Sequence, residues 1–179
     1  DVDNPWLAGH ASGGSSSGSG AGVAAGFFVG AVGSDTGGSI RLPAGCCGVV
    51  GLKPTYGRVS RAGAMVLSWS MDHLGPLAWT ARDAALMLNV MAGSDPADAT
   101  TSHRSVPDYT AGLEGGIKGV RIGLPENYFF EGVDEELAAG VRQAARQLES
   151  LGARVSEIRL PDPTLMTDVS MLITRSEAS

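Results

Sequence analysis

VRIGLPENYFFEGVDEELAAGVRQAARQLESLGARVSEIRL, residues 120–160, is the stretch that decides the fold class. Val120 to Leu124 alternates apolar and other residues as a strand does. Asp134 stands where a helix N-cap belongs, and Leu137, Val141, Ala144, Ala145, Leu148 and Leu151 then recur on one helical face. Gly152 follows at the position of a C-cap, and Ala153 to Leu160 reads as a second strand with imperfect alternation. Strand, helix, strand in that order predicts a parallel pair joined by a right-handed crossover, and so an α/β fold.

Working outward, Thr80 and Asp83 form a capping-box-like start to a helix running to about Met91. Ala84, Ala85, Leu86, Met87, Leu88 and Val90 make it apolar nearly all round, which predicts a buried helix. Residues 93–119, rich in Asp, Ser, Thr, Pro and Gly, read as a long surface connection with room for one short helix. The final stretch, Met171 to Ser179, reads as the start of a further helix, cut short. Half of the 26 glycines fall in the first fifty residues. The expected organisation is therefore one partial domain: a glycine-rich front over 1–92, a connection over 93–119, and a strand-helix-strand unit over 120–179. Both ends read as truncated, and the opening Asp1-Val2-Asp3-Asn4-Pro5-Trp6 has no secretory character.

The formal charge of -6 excludes a basic nucleic-acid surface, and only two lysines exist, Lys53 and Lys118. Residues 11–34 carry no charge, but their apolar part from Ala21 to Val32 is too short and glycine-rich to span a bilayer, so no membrane role is expected. Cys46 and Cys47 are neighbours and seldom reach disulfide geometry, which points to a reducing cytoplasm. His and Cys nowhere show metal-ligand spacing, so no metal and no cofactor is expected.

Gly13-Gly14-Ser15-Ser16-Ser17-Gly18-Ser19-Gly20 alone resembles a flexible linker. It leads, however, into a small-residue helix over Ala21 to Gly26, a buried strand over Phe27 to Val32, and the tight turn Gly33-Ser34-Asp35-Thr36-Gly37-Gly38-Ser39-Ile40-Arg41. Glycines 37 and 38 permit successive N–H groups to converge on one anion, and beside a serine hydroxyl such a nest is a candidate oxyanion hole. A serine needs a base to become a nucleophile. His10, His73 and His103 are available, with Asp72 beside His73, yet sequence adjacency makes no triad and the Gly-x-Ser-x-Gly elbow is absent because Arg41 occupies its second Gly position.

The serine-glycine run, the Gly33 to Arg41 turn, Gly48-Val49-Val50-Gly51-Leu52-Lys53-Pro54-Thr55 and Ser70-Met71-Asp72-His73-Leu74-Gly75-Pro76 together resemble the amidase signature family. The 24-residue separation of Ser15 and Ser39 matches the family arrangement (39 − 15 = 24). The resemblance implies a mixed, mostly parallel sheet flanked by helices, and hydrolysis of a linear carboxylic amide. It assigns Ser39 as the nucleophile that forms the acyl-enzyme. Ser15, on a cis peptide bond, bridges Ser39 to a lysine. The N–H groups of Thr36, Gly37, Gly38 and Ser39 cradle the oxyanion. Asp35 and Arg41, close in sequence and opposite in charge, are expected to brace the turn.

The family's lysine lies upstream of the serine-glycine run and is not in this chain. Lys53 falls in a stretch the family uses structurally, and Lys118 reads as a surface charge. These 179 residues alone are therefore expected not to turn over amides. Cys46 and Cys47 read as packed thiols, and Asp72 and His73 as hydrogen-bonding supports. Met65, Leu67 and Trp69 suit either an acyl pocket or a core. The expected partner is a small amide, and a homo-oligomer is compatible with the sequence. One alternative is the glutaminase subunit of a tRNA-dependent amidotransferase, although a Gln rather than His73 is expected there after the Asp. Others are a non-catalytic relative and a glycine-loop phosphate-binding module, the last lacking the Lys that a P-loop needs.

Overall fold

The computed structural model describes residues 2–178. They form two compact units: one runs to Gly112 and takes in the chain from Leu172 onward, and the other is Leu113–Met171.

In the first unit a hairpin of β1 (Asp3–Asn4) and β2 (Leu7–Ala11) precedes helix α1 (Ser17–Ala24), strand β3 (Gly30–Asp35) and helix α2 (Arg41–Cys47). Strands β4 (Val50–Gly51) and β5 (His73–Ala78) and helix α3 (Ala81–Met91) follow. The three-stranded sheet has the order β3-β5-β4 and both pairings are antiparallel. Its register runs from Gly30 opposite Ala78 to Asp35 opposite His73. The chain over 36–72, which includes β4, thus leaves the β3–β5 ladder and returns to it at the same end, so that β5 runs back along β3. The only parallel pairing among the described residues is in the second unit, so the α/β class stands while the mostly parallel character is confined there.

The core of the first unit is small and dense. Ile40, Ala44 and Leu77 form one buried cluster and Ala21, Ala24 and Cys47 another, with Val49 packed against both. Each large apolar side chain buried here stabilises by about 2 kcal/mol. The helix α2 carbonyls left open at its C-terminus are taken by side chains of the hairpin: Asn4 Nδ2 donates to Cys46 O at 2.8 Å and Trp6 Nε1 to Cys47 O at 2.6 Å. Gly48, left-handed at φ 67°, closes the helix. Cys47 is fully buried, and burial followed by its neighbour Cys46 pushes its thiol pKa up, in keeping with a packing role.

Two expectations fail here. The strand predicted over Phe27 to Val32 begins only at Gly30, with Phe27 79% and Val29 92% exposed. Helix α3 has the predicted cap, Thr80 Oγ1 accepting from Asp83 N at 3.1 Å, but buries only Ala84, Ala85 and Leu88 while Leu86 and Val90 stay exposed. A single small sheet covers one face of a helix, and composition cannot say how many faces will be covered. The 93–119 connection contains no helix; it is a series of turns, tied down by Ser60 Oγ on Asp95 and Arg61 N on Asp98.

The second unit holds β6 (Arg121–Pro125), α4 (Glu135–Ser150) and β7 (Arg154–Ile158), with β6 and β7 parallel as the pattern predicts. Asp134 Oδ1 accepts from Glu136 N at 2.9 Å and Leu137 N at 3.4 Å. Gly152, at φ 99°, ends the helix with its N–H on Glu149 O. Of the apolar face Leu137, Val141, Ala144 and Leu151 remain exposed. Helix α5 (Pro163–Glu177) is divided between the units. Asp134→Ala is expected to lower stability by about 1 kcal/mol, read as a shift in the urea midpoint, because two helix donors lose their acceptor.

Candidate functional site

Strand β3 delivers the turn. Its alternation buries Gly33 and Asp35, while Val32 and Ser34 point outward. Asp35 is fully buried, and its carboxylate organises everything that follows. Oδ1 accepts from Gly38 N at 2.7 Å and Arg41 Nη2 at 2.8 Å. Oδ2 accepts from Arg41 Nε at 2.9 Å, Ile40 N at 3.2 Å and Arg41 N at 3.4 Å. Asp35 and Arg41 thus meet in a two-pronged, charge-assisted pair. Burial pushes the Asp35 pKa upward, but the Arg41 guanidinium and the N–H groups of Ile40 and Gly38 outweigh it and hold the carboxyl below its usual range. The Asp35 carboxylate in turn raises the Arg41 pKa.

Gly38 is expected in the oxyanion set with Thr36, Gly37 and Ser39; in this structure its N–H donates to the Asp35 brace. Gly38 adopts φ 133°, a conformation costly for other residues, and this lets its N–H turn inward. The N–H groups of Thr36, Gly37 and Ser39 are the turn's donors not drawn to Asp35. Ile40, fully buried next to Ser39, anchors the far side in the core.

The serine-glycine run is not a linker. Ser16 N donates to Ser39 O at 3.3 Å, Ser16 Oγ pairs with both Ser34 O and Ser34 N at 3.2 Å, and Ser19 Oγ donates to Val32 O at 3.0 Å. Residues 15 and 16 therefore lie alongside Ser39. The Gly14–Ser15 peptide bond is cis, as the resemblance implies. Gly13, at φ 73°, permits the approach of this loop to helix α2, because a Cβ there would sit 2.7 Å from Pro43 Cα. Ser15 is exposed and Ser39 half-buried.

Neither lysine joins them. Lys53 Nζ donates to Pro54 O at 2.8 Å; burial, then the charge of Arg41, lower its pKa. Lys118 is exposed in the other unit. Asp72 and His73 do not form a triad either. His73 Nδ1 faces the carbonyls of Met71 at 2.6 Å and Asp35 at 3.2 Å, and the Asp72 carboxylate faces Leu67 N, Ser68 N and the Thr36 hydroxyl. Met65, Leu67 and Trp69 are exposed, which removes the core reading for them among the described residues. Sequence reasoning missed Ser16, whose hydroxyl ties the run to β3, and Glu177, which accepts from Ser68 and Ser70. Nothing local marks either, since both partners are distant in sequence.

No group of three or more His, Cys, Asp or Glu among the described residues is arranged to hold a metal, and no described helix is long and apolar enough to cross a membrane.

The chain matches the family described as Amidase over residues 1–179. It is 52% identical over 176 residues to a glutamyl-tRNA(Gln) amidotransferase subunit of Ligilactobacillus salivarius (strain UCC118), covering 98% of this chain and 36% of that protein. The crystal structure of the corresponding glutamyl-tRNA(Gln) amidotransferase subunit from Thermotoga maritima superposes with a TM-score of 0.94 at 42% identity, covering 98% of this chain and 39% of that one. Native peptide amidase from Stenotrophomonas maltophilia gives 0.86 at 39% identity, covering 98% and 37%. The chain thus spans between a third and two-fifths of the length of these relatives. On a match that runs from one end of the chain to the other, and with solved relatives that share its fold at about 40% identity, this chain belongs to the amidase family, of the amidase signature type.

Proposed function

We propose that this chain carries the nucleophile portion of a serine amide hydrolase. Ser39 Oγ attacks the amide carbonyl. Its proton passes to Ser15 and on to a lysine supplied from outside these 179 residues, and the N–H groups of Thr36, Gly37 and Ser39 hold the oxyanion. The C–N bond breaks, the nitrogen leaves protonated by the same relay, and water then cleaves the Ser39 ester with the relay acting as base. The observation that carries this reading is the Ser16 to Ser39 backbone hydrogen bond, which lays the Ser15 segment against a turn pre-shaped by Asp35.

The second reading concerns which amide. The 52% identity to a glutamyl-tRNA(Gln) amidotransferase component favours the side-chain amide of glutamine, with ammonia as the leaving group, over a general linear amide. His73 in place of the expected Gln does not outweigh identity spread over the whole chain. That reading brings a tRNA-linked reaction and a partner protein to the whole enzyme, so the expectation of no nucleic acid is kept only for the acidic surface of this segment. A reducing, cytoplasmic setting belongs to the same reading and is supported by the free thiols of Cys46 and Cys47.

Ammonia release by the full-length protein decides between the two amides. The expected result is glutamine turnover that depends on a partner protein. Efficient hydrolysis of simple aliphatic or aryl amides by the protein alone would return the general amidase reading.

A further inference from the structure

Asp35 opposite His73 is the last rung of the β3–β5 ladder, so Thr36 and Asp72 leave the sheet side by side. The Thr36 hydroxyl donates to Asp72 Oδ1. Asp72 is 8% exposed, and its Oδ2 accepts from Leu67 N at 2.6 Å and Ser68 N at 3.0 Å. The residue is itself held. Arg61 Nη1 donates to its carbonyl at 3.4 Å and to Trp69 O at 2.8 Å, and His73 Nδ1 lies 2.6 Å from Met71 O. Glu177 grips the same loop, accepting from Ser70 N at 3.0 Å, Ser70 Oγ at 2.8 Å and the Ser68 hydroxyl.

The turn therefore has two carboxylate supports. Asp35 holds Gly38, Ile40 and Arg41, on the side after the nest, and leaves Thr36 and Gly37 untouched. We propose that Asp72 is a positioning residue for the amide hydrolysis: through the Thr36 hydroxyl it fixes the leading side of the turn, and with it the direction of the Thr36 and Gly37 N–H groups toward the oxyanion. This rests on the assignment of Ser39 as nucleophile. A donor aimed at the transition state but not at the ground state affects kcat and leaves KM nearly alone, and displacing it by about 1 Å costs up to about 100-fold.

The test uses the full-length protein with its partner. Thr36→Val keeps the N–H and the shape but removes the hydroxyl, and Thr36→Ser keeps the hydroxyl. Asp72→Ala removes the acceptor of the Thr36 hydroxyl. The expected result is a kcat lowered about 10- to 100-fold in Thr36→Val and Asp72→Ala, KM within about threefold, and Thr36→Ser within about threefold of the wild type. Unchanged kcat in Thr36→Val, a loss carried by KM, or failure of Thr36→Ser to restore kcat overturns the proposal. Ser39→Ala, assayed alongside, separates the two levels. If it keeps turnover, the nucleophile assignment falls and this inference with it. If it is inactive while Thr36→Val matches the wild type, only the positioning role falls.

Discussion

Ser39→Ala in the full-length protein is expected to abolish amide turnover, by on the order of 10⁴-fold or more, while leaving the fold intact. The two halves of this result have separate causes. The contact tying the residue to the serine-glycine run uses its backbone carbonyl, which alanine retains, and the turn's shape is set by Asp35 rather than by the Ser39 hydroxyl. Circular dichroism and the thermal midpoint should therefore match the wild type. The chemistry has no replacement: once the oxygen is gone, no acyl ester forms, and mass spectrometry of a quenched reaction should find acyl adduct on the Ser39 peptide of the wild type alone. Substantial turnover by the variant would remove Ser39 from the mechanism.

Asp35→Asn is expected to cost both activity and stability, the latter by about 3 kcal/mol. An amide offers one acceptor where the carboxylate serves three backbone N–H groups and two guanidinium nitrogens, and Ile40 N is buried away from water. Arg41 is half exposed, so its charge is partly rehydrated and the larger part of the loss comes from the stranded amides. The pH dependence follows from the lowered Asp35 pKa. A carboxyl whose folded pKa lies below its unfolded value, about 3.9, contributes stability that is fully present above that value and is lost as pH falls through the folded pKa. Denaturation midpoints measured below about pH 4 should fall steeply in the wild type and less steeply in Asp35→Asn. Parallel curves would show that Asp35 is not the group responsible.

Much of this was legible without coordinates, where the signal is local. The strand-helix-strand unit over residues 120–160 could be read because the period of its apolar residues and the caps at Asp134 and Gly152 are properties of neighbours in the chain. The Asp35–Arg41 brace was likewise within reach, six residues apart across a glycine turn. Misreadings arose where burial depends on what else packs nearby. Phe27 and Val29, just before β3, and Leu86 and Val90, on α3, are apolar enough for a core, but the elements of this chain leave them exposed.

By itself the sequence determined the α/β class, the resemblance to the amidase signature family and the place of the glycine turn between β3 and α2. Tertiary structure decided the direction of the Gly38 N–H, because whether it points to solvent or to Asp35 depends on a carboxylate buried by the β3–β5 pairing. It also decided that Asp72 and Glu177 bear on the turn, since their hydrogen bonds span 36 and 107 to 109 residues. Periodicity and turn chemistry act over a few residues, whereas the closing of a long loop is settled only when the whole ladder has paired.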